Sequence, residues 1–210
     1  DIIKEVFDTG ERIAIATAIN SDDELKKESP NPMRSDAAGT VPWLRDMSLG
    51  ALNGIVGDYL AAENNALEVS MSLRRDGKYL ELTPESLCEE LPESSSKVCI
   101  FIHGLACTEW WWSSFAEKQY DDPTVNYGKL LEQELGYTSI YLRYNSGLHI
   151  STNGALLAKA LETLASSFPR EIEEIILIGH SMGGLVARSA CFYAEQDDLT
   201  WVKKLKHVFC

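Results

Sequence analysis

Short apolar runs alternate with amphipathic segments over the C-terminal half of the chain. The runs 98–102 and 175–178 have an apolar side chain at every position, which is typical of strands buried on both faces. The pattern predicts strands over 97–102, 138–143, 173–178 and 205–210, and helices over 125–135, 152–166 and 182–195. Because strands and helices alternate, we expect an α/β fold with a mostly parallel sheet, right-handed crossovers and helices on both faces.

The part of the chain before residue 97 has a different organisation. Asp76-Gly77 separates two strand-like runs, 69–73 and 78–82, which is a β-hairpin signal. Further helices are predicted over 1–18, 47–63 and 84–90, and a polar stretch with two prolines predicts a connector over about 20–39. We therefore divide the chain into a helical N-terminal extension and an α/β domain, over 1–68 and 69–210, the latter with a hairpin over 69–82 and a core from 97.

The sequence Gly179-His180-Ser181-Met182-Gly183 lies between a predicted strand and a predicted helix. A serine on such a turn has a strained backbone, and side chains two residues before and after it would collide, so both positions need glycine. The alternative is a glycine-rich link without chemistry, but the strand before it and the helix after it favour a nucleophile elbow. Ser181 is therefore the candidate nucleophile, and the two glycines and His180 support the turn.

A His-Gly pair, His103-Gly104, follows the predicted strand 97–102. In acyl-transfer enzymes with this order of elements, one N–H that binds the oxyanion comes from the residue after the nucleophile and the other from the loop after an earlier strand. Leu105 and Met182 are the predicted donors, and the dipole of the helix after the serine assists them. His103 is either a general base or a structural residue of this loop. Its position before the serine favours the structural interpretation.

Further candidates follow the ends of the first two core strands, where ligands of parallel sheets bind: Trp110, Trp111, Trp112, Asn145 and His149. The tryptophans either line an acyl-binding groove or pack their loop onto the domain. The two polar residues either orient the substrate or orient their own loop. A simple helix start, with Ser151 as the capping residue, is the favoured interpretation of this segment. Arg143 is expected to form a structural ion pair.

Three segments, 103–112, 141–151 and 179–188, resemble the α/β-hydrolase superfamily, specifically bacterial lipase/esterase-like proteins related to the PGAP1-type deacylases. The Arg-Tyr-Asn-Ser-Gly sequence at 143–147 is the most specific part, and the resemblance covers most of residues 97–210. It implies a serine hydrolase that acts on a small-molecule or lipid carboxylic ester through an acyl-serine intermediate, with no metal and no cofactor. Lipases, deacylases and acyltransferases share these features, so the acyl group and the acceptor stay open.

Triad partners in this fold follow the serine, the acid first and the histidine last. The one histidine after Ser181 is His207, which lies inside a predicted strand and is interpreted as a strand residue. We therefore expect the acid and the histidine beyond Cys210, and a fold truncated after the strand that follows the nucleophile helix. The competing hypothesis is a non-catalytic binding module or an inactive fragment with this fold. The serine turn and the His-Gly loop favour the enzyme.

Composition limits the partners and the compartment. A net charge of -13 disfavours nucleic acid and anionic membrane surfaces, because binding phosphates takes a basic face. No apolar run approaches the ~20 residues that span a bilayer. No oligomeric state follows from the sequence. The cysteines lack metal-ligand spacing and are expected to be buried free thiols, and their odd number favours a reducing, cytoplasmic location: Cys88, Cys99, Cys107, Cys191 and Cys210.

Overall fold

The computed structural model of the protein describes residues 42–113 and 125–210. The helices in these residues are α1 (Pro42–Ala62), α2 (Pro84–Glu90), α3 (Tyr127–Leu135), α4 (Ile150–Ser167) and α5 (Met182–Gln196), with 3₁₀ helices at Glu109–Ser113 and Trp201–Lys204. The strands are β1 (Ser72–Arg75), β2 (Lys78–Tyr79), β3 (Lys97–Ile102), β4 (Thr138–Arg143), β5 (Glu174–Gly179) and β6 (Leu205–Phe209). The predicted helix 1–18 and connector 20–39 lie outside the described residues. Among the helices described, none is long and apolar enough to cross a bilayer.

The strands form one mixed sheet in the order β2-β1-β4-β3-β5-β6. Strands β3 to β6 pair in parallel, whereas β1 pairs antiparallel with both β2 and β4. Ile102, the last residue of β3, lies opposite Leu142 of β4 and Gly179 of β5. The loops after these three strands therefore emerge together at the carboxyl edge of the sheet. The predicted α/β fold is confirmed.

Alternate side chains of β3 are buried in two separate hydrophobic cores. Val98, Ile100 and Ile102 belong to a core that includes side chains of α2, α4 and α5. Cys99 and Phe101 belong to the core on the opposite face, against which α3 packs. Since fully burying one such apolar side chain stabilises the fold by about 1.5–3 kcal/mol, β3 is held firmly from both sides. Its carboxyl end is a rigid support for the loop that follows.

The hairpin and α1 differ from the prediction at their ends. The turn between β1 and β2 is at Asp76 and Gly77, both with positive φ (49° and 76°), as a tight two-residue hairpin requires. The strands are shorter than the predicted runs 69–73 and 78–82. Helix α1 begins at Pro42, earlier than the predicted start at 47, and has a kink at Val56 with φ -133° and ψ 19°. A proline is tolerated in the first turn because the N–H groups there have no helical partner.

The start of α4 corrects one prediction. The helix begins at Ile150 with His149 at the N-cap, and no side chain makes a capping hydrogen bond. The predicted start at 152 and the predicted cap at Ser151 are therefore wrong. The connection is stabilised instead by Asn153 in the first turn, whose side-chain amide donates to the backbone oxygen of Asn145 at 2.9 Å.

All five cysteines are free thiols, but they differ in burial. Cys99 is buried in the central strand, and burial raises its pKa. Cys107 and Cys191 are half-buried, whereas Cys88 and Cys210 are exposed. The prediction of buried thiols is therefore right for Cys99 and wrong for the two exposed residues. Cys88 lies in α2, and Cys210 follows β6, an edge strand of the sheet.

Candidate active site

Ser181 lies on the sharp turn between β5 and α5. Its backbone has φ 53° and ψ -120°, a conformation that a non-glycine residue rarely adopts and that costs about 1–3 kcal/mol. The serine side chain is exposed at the carboxyl edge of the sheet and makes no capping hydrogen bond to α5. The turn therefore presents the hydroxyl to the solvent in front of a helix N-terminus, the backbone geometry that a nucleophile elbow needs.

The glycines around Ser181 are required by close backbone contacts. A Cβ atom on Gly179 would lie 2.5 Å from the carbonyl carbon of Gly183. A Cβ atom on Gly183 would overlap the backbone oxygen of Ile102 and lie 2.6 Å from that of His103. These neighbours are backbone atoms and cannot turn aside, so α5 begins directly against the end of β3.

The loop after β3 lies beside the serine. A Cβ atom on Gly104 would be 3.3 Å from the Cβ of Ser181 and 3.1 Å from Nδ1 of His180. The N–H of His180 also donates to the backbone oxygen of Ile102 at 2.9 Å. Among the residues that the structure describes, neither of the two predicted oxyanion donors, the N–H groups of Leu105 and Met182, donates a hydrogen bond. Neither N–H group is therefore used in a hydrogen bond within the described part of the protein.

His103 is a buried neutral side chain of this loop. Its Nδ1 is 2.8 Å from the backbone oxygen of Gly104, and its ring stacks on Tyr144 with 4.3 Å between centroids. The hydroxyl of Tyr144 donates to the backbone oxygen of His103 at 2.8 Å. The pKa of His103 is lowered to about 4, mainly by burial; the hydrogen bond to Gly104 opposes this effect and the charge of Arg143 adds to it. These contacts support the structural interpretation of His103 over a general base.

The buried imidazole leads to a pH-dependent stability. In the unfolded chain it binds a proton near its ordinary pKa of 6.5, whereas in the folded protein it does so only near about 4. The contribution of the neutral imidazole to stability is therefore complete above pH 6.5 and is lost as the pH falls towards about 4. Within this range the free energy of unfolding falls by at most about 1.4 kcal/mol per pH unit because of this group. We expect urea unfolding between about pH 7 and about pH 5 to show a smaller loss of stability in His103→Asn than in the wild type. Equal losses in the two proteins would contradict this assignment.

The three tryptophans have different surroundings. Trp111 is half-buried and stacks on His180, with 5.1 Å between ring centroids, and so lies beside the elbow. Trp112 is buried in the core against Phe101, at 5.0 Å. The indole N–H of Trp110 donates to Asp46 of α1 at 3.0 Å, and its ring covers the hairpin turn at Gly77. Of the two predicted pocket residues Trp110 and Trp111, the structure brings Trp111 next to the serine turn and Trp110 against α1 and the hairpin.

Asn145 is buried and its amide is used inside the protein. Its side-chain N–H group donates to the backbone oxygen of Gly57 in α1 at 2.8 Å, and its side-chain oxygen accepts from the N–H of Gly147 at 3.0 Å. This arrangement supports the interpretation in which Asn145 orients its loop rather than a substrate. His149 is exposed at the N-cap of α4.

The comparison with protein families agrees with this geometry. A family model described as PGAP1-like alpha/beta domain matches residues 93–206, more than half of the chain. The chain belongs to the PGAP1-like alpha/beta domain family. This is an α/β-hydrolase-type domain and is compatible with hydrolase activity, so the predicted superfamily is confirmed. Comparisons with curated proteins and with solved structures gave no match.

The matched range of the PGAP1-like domain contains the serine turn and the loop after β3, but not α1 or the β1–β2 hairpin. An ion cluster joins these parts. Glu109, which is 5% exposed, accepts from Nε of Arg143 at 2.6 Å and lies 3.0 Å from Nε of Arg74 in β1. Arg143 also pairs with Asp46 of α1. Burial lowers the pKa of Arg143, but the two carboxylates outweigh this effect and raise it, so the guanidinium stays charged.

The sequence indicated the ion pair of Arg143 but not its partners. Asp46 is 97 positions away from Arg143, and Glu109 is 34 positions away. No local pattern connects residues so far apart. A detectable signal did exist in α1, where Gly50, Gly54 and Gly57 recur at helical spacing and contact the loops at the carboxyl edge.

The four histidines of the PGAP1-like chain are all within the described residues. None of them forms a hydrogen bond with the Ser181 side chain there. His207 is exposed in β6, opposite Ile176 of β5. Within 42–113 and 125–210, no three His, Cys, Asp or Glu side chains are grouped to hold a metal ion.

Proposed function

We propose that this PGAP1-like domain hydrolyses carboxylic esters through an acyl intermediate on Ser181. One observation carries the proposal: Ser181, which is exposed and has φ 53°, lies at the start of α5, directly beside the loop after β3. A Cβ atom placed on Gly104 of that loop would be only 3.3 Å from the Cβ of Ser181. The strained turn and the adjoining loop are needed for acyl transfer and have little value in a protein that only binds.

The proposed reaction has two steps. In the first, Oγ of Ser181 attacks the ester carbonyl carbon and passes its proton to a general base, and the base then returns the proton to the departing alcohol. In the second, water attacks the acyl-serine, the base accepts its proton, and the acid is released as Oγ regains a proton. In both steps the N–H groups of Leu105 and Met182 would bind the negative oxygen, aided by the N-terminal dipole of α5.

The general base is not assigned to any of the four histidines of the described residues, because none of them makes a hydrogen bond to Ser181 there. In this fold the acid and the histidine of the triad follow the serine in chain order. The one histidine that follows Ser181 in the described residues, His207, is exposed in β6.

An apolar acyl group suits the surroundings of Ser181. Leu105 on the loop and Leu185 in the first turn of α5 are each 53% exposed, and the ring of Trp111 lies over His180. Large apolar side chains exposed on the segments that adjoin a reactive group favour an apolar ligand. The proposed substrate is therefore an ester with a lipid or other apolar acyl chain.

A fluorophosphonate probe tests the proposal, because it reacts with an activated serine hydroxyl. We expect the full-length protein to gain one adduct, mapped by mass spectrometry to the peptide that contains Ser181. The Ser181→Ala variant should gain none, and Ser151→Ala, which changes an exposed serine in the first turn of α4, should be labelled like the wild type. Absence of labelling in the wild type, or labelling that persists in Ser181→Ala, would overturn the proposal.

The alternative is a binding module that keeps the fold without catalysis. It is favoured by one observation, that no histidine of the described residues is hydrogen-bonded to Ser181. Under this alternative an apolar ester would bind without being hydrolysed. An unlabelled wild-type protein that still binds such an ester would support it.

A further inference from the structure

Helix α1 packs directly on the loops after β3 and β4, of which the first adjoins Ser181, although the helix precedes the family-matched residues 93–206. A Cβ atom on Gly54 would lie 2.6 Å from the Cα of Ala106, and one on Gly50 would lie 2.9 Å from the backbone oxygen of Cys107. A Cβ on Gly57 would lie 2.7 Å from the side-chain carbon of Asn145. The helix therefore touches both the loop after β3 and the loop after β4, at distances that only glycine permits.

Buried hydrogen bonds connect the same three parts. The Asn145 amide in the loop after β4 donates to the backbone oxygen of Gly57, close to the kink at Val56. In the same loop, the hydroxyl oxygen of Ser146 accepts from the N–H of Ala106 at 2.9 Å. A path of direct contacts thus runs from α1 through the loop after β4 to the residue that follows Leu105.

Ala106 itself is strained. Its φ is 59°, in the left-handed region that alanine seldom occupies. Such a conformation persists only where the surroundings determine it. Here the surroundings are Gly54 on one side and Ser146 on the other. Because Ala106 adjoins Leu105, fixing its backbone also fixes the short loop that carries the Leu105 N–H.

Helix α1 is anchored independently of these contacts. Asn53 is fully buried, and its amide bonds the backbone of Leu49, Leu67 and Val69 at 2.8 to 2.9 Å. Asp46, one turn from the start of the helix, pairs with Arg143. The helix is thus held in place by bonds before and within the stretch 50–57 that meets the loops.

We propose that α1 is a positioning element of the oxyanion hole, with Gly54 and Gly57 as its positioning residues. The helix holds Ala106 and Asn145 so that the N–H of Leu105 stays directed at the substrate oxygen beside Ser181. This inference rests on the proposed function, because it assigns α1 to the same site.

The Gly54→Ala variant tests the role of α1. The added methyl group cannot fit against the Cα of Ala106, so the loop must shift. Displacing one oxyanion donor lowers the rate of the chemical step by roughly 10²-fold. We expect kcat for an apolar ester and the rate of fluorophosphonate labelling at Ser181 to fall by that factor, with KM changed less than about threefold. A helix that merely stabilises the fold would lower the melting temperature and leave kcat per folded molecule unchanged.

The control is Ile55→Ala, at the neighbouring position, where the side chain is 78% exposed. It should keep the labelling rate and KM of the wild type. If Gly54→Ala fails to fold, the Ala106→Gly variant tests the role of α1 instead. Glycine accepts the positive φ without strain, and the loss of the Ala106 Cβ removes its contact with Gly54, so the loop is no longer fixed. That variant should react at least about tenfold more slowly while unfolding at no lower temperature.

The outcomes separate this inference from the proposed function. If the wild type is not labelled, the proposed function fails and the inference fails with it. If the wild type is labelled and a folded Gly54→Ala protein reacts at the same rate, the proposed function stands and the role of α1 is overturned. If the Gly54→Ala protein does not fold and the Ala106→Gly variant is labelled as fast as the wild type, the role of α1 is likewise overturned.

Discussion

Ser181→Ala should abolish ester hydrolysis, with kcat/KM lowered by about 10⁴-fold or more. The expected loss is large because the acyl intermediate cannot form without Oγ, and a bound water would have to replace it. The measurement is the hydrolysis rate of a chromogenic apolar ester by the full-length protein. Ser151→Ala serves as the control, since it removes an exposed hydroxyl near the same edge of the sheet. Turnover by Ser181→Ala within tenfold of the wild type would exclude Ser181 as the nucleophile.

At position 181, the side chain that the reaction needs is expected to lower the stability of the fold. Alanine keeps the Cβ atom that strains the backbone at φ 53°, whereas glycine relieves it. We therefore expect Ser181→Gly to be as inactive as Ser181→Ala but about 1 kcal/mol more stable in urea unfolding, the difference reporting the strain at the turn.

Gly183→Ala should damage both the fold and the reaction. The new Cβ atom would overlap the backbone oxygen of Ile102 and crowd that of His103, so the first turn of α5 must move away from β3. We expect the free energy of unfolding to fall by about 1–3 kcal/mol, as for overpacked sites. The labelling rate at Ser181 should fall by about 10²-fold, because small displacements of reacting groups have effects of this size. Urea unfolding and timed fluorophosphonate labelling measure the two effects.

Gly136→Ala is the matched control for this change. Gly136 ends α3 with φ 71°, and a Cβ atom there would meet nothing within 4 Å. It should lower the stability by about 1–2 kcal/mol through backbone strain alone and leave the labelling rate unchanged. If Gly183→Ala is labelled as fast as Gly136→Ala, the close contact between α5 and β3 has no role in the reaction.

The parts of the site that could be predicted are those encoded locally. Ser181 and its glycines lie within five consecutive residues, and the buried strand before them has a pattern of its own. The placement of Gly104 beside Ser181 could also be predicted, because the loops after neighbouring parallel strands emerge at the same edge of the sheet. These features depend on strand order and turn geometry, which short patterns carry.

The parts that were missed depend on partners distant in the chain. The α4 start was predicted at 152 with Ser151 as the cap, but the helix begins at Ile150, where the N–H of Asn153 donates to the backbone oxygen of His149. The buried carboxylate of Glu109 is stable only because Arg74 and Arg143 come from two neighbouring strands. Nothing near Glu109 in the sequence distinguishes it from an exposed acidic residue.

Because β1 pairs with β4, the segment before residue 93 is part of the same sheet as the family-matched residues. β1 covers one edge of β4 along Ser72 to Arg74, and the segment before residue 93 also supplies Leu73, Leu80 and Leu87 to the larger core. A polypeptide trimmed to the family-matched residues 93–206 would expose an unpaired strand edge next to an open apolar surface. Such edges recruit strands from other molecules, so the trimmed polypeptide would tend to aggregate. The unit that folds is therefore larger than the unit by which the family is recognised.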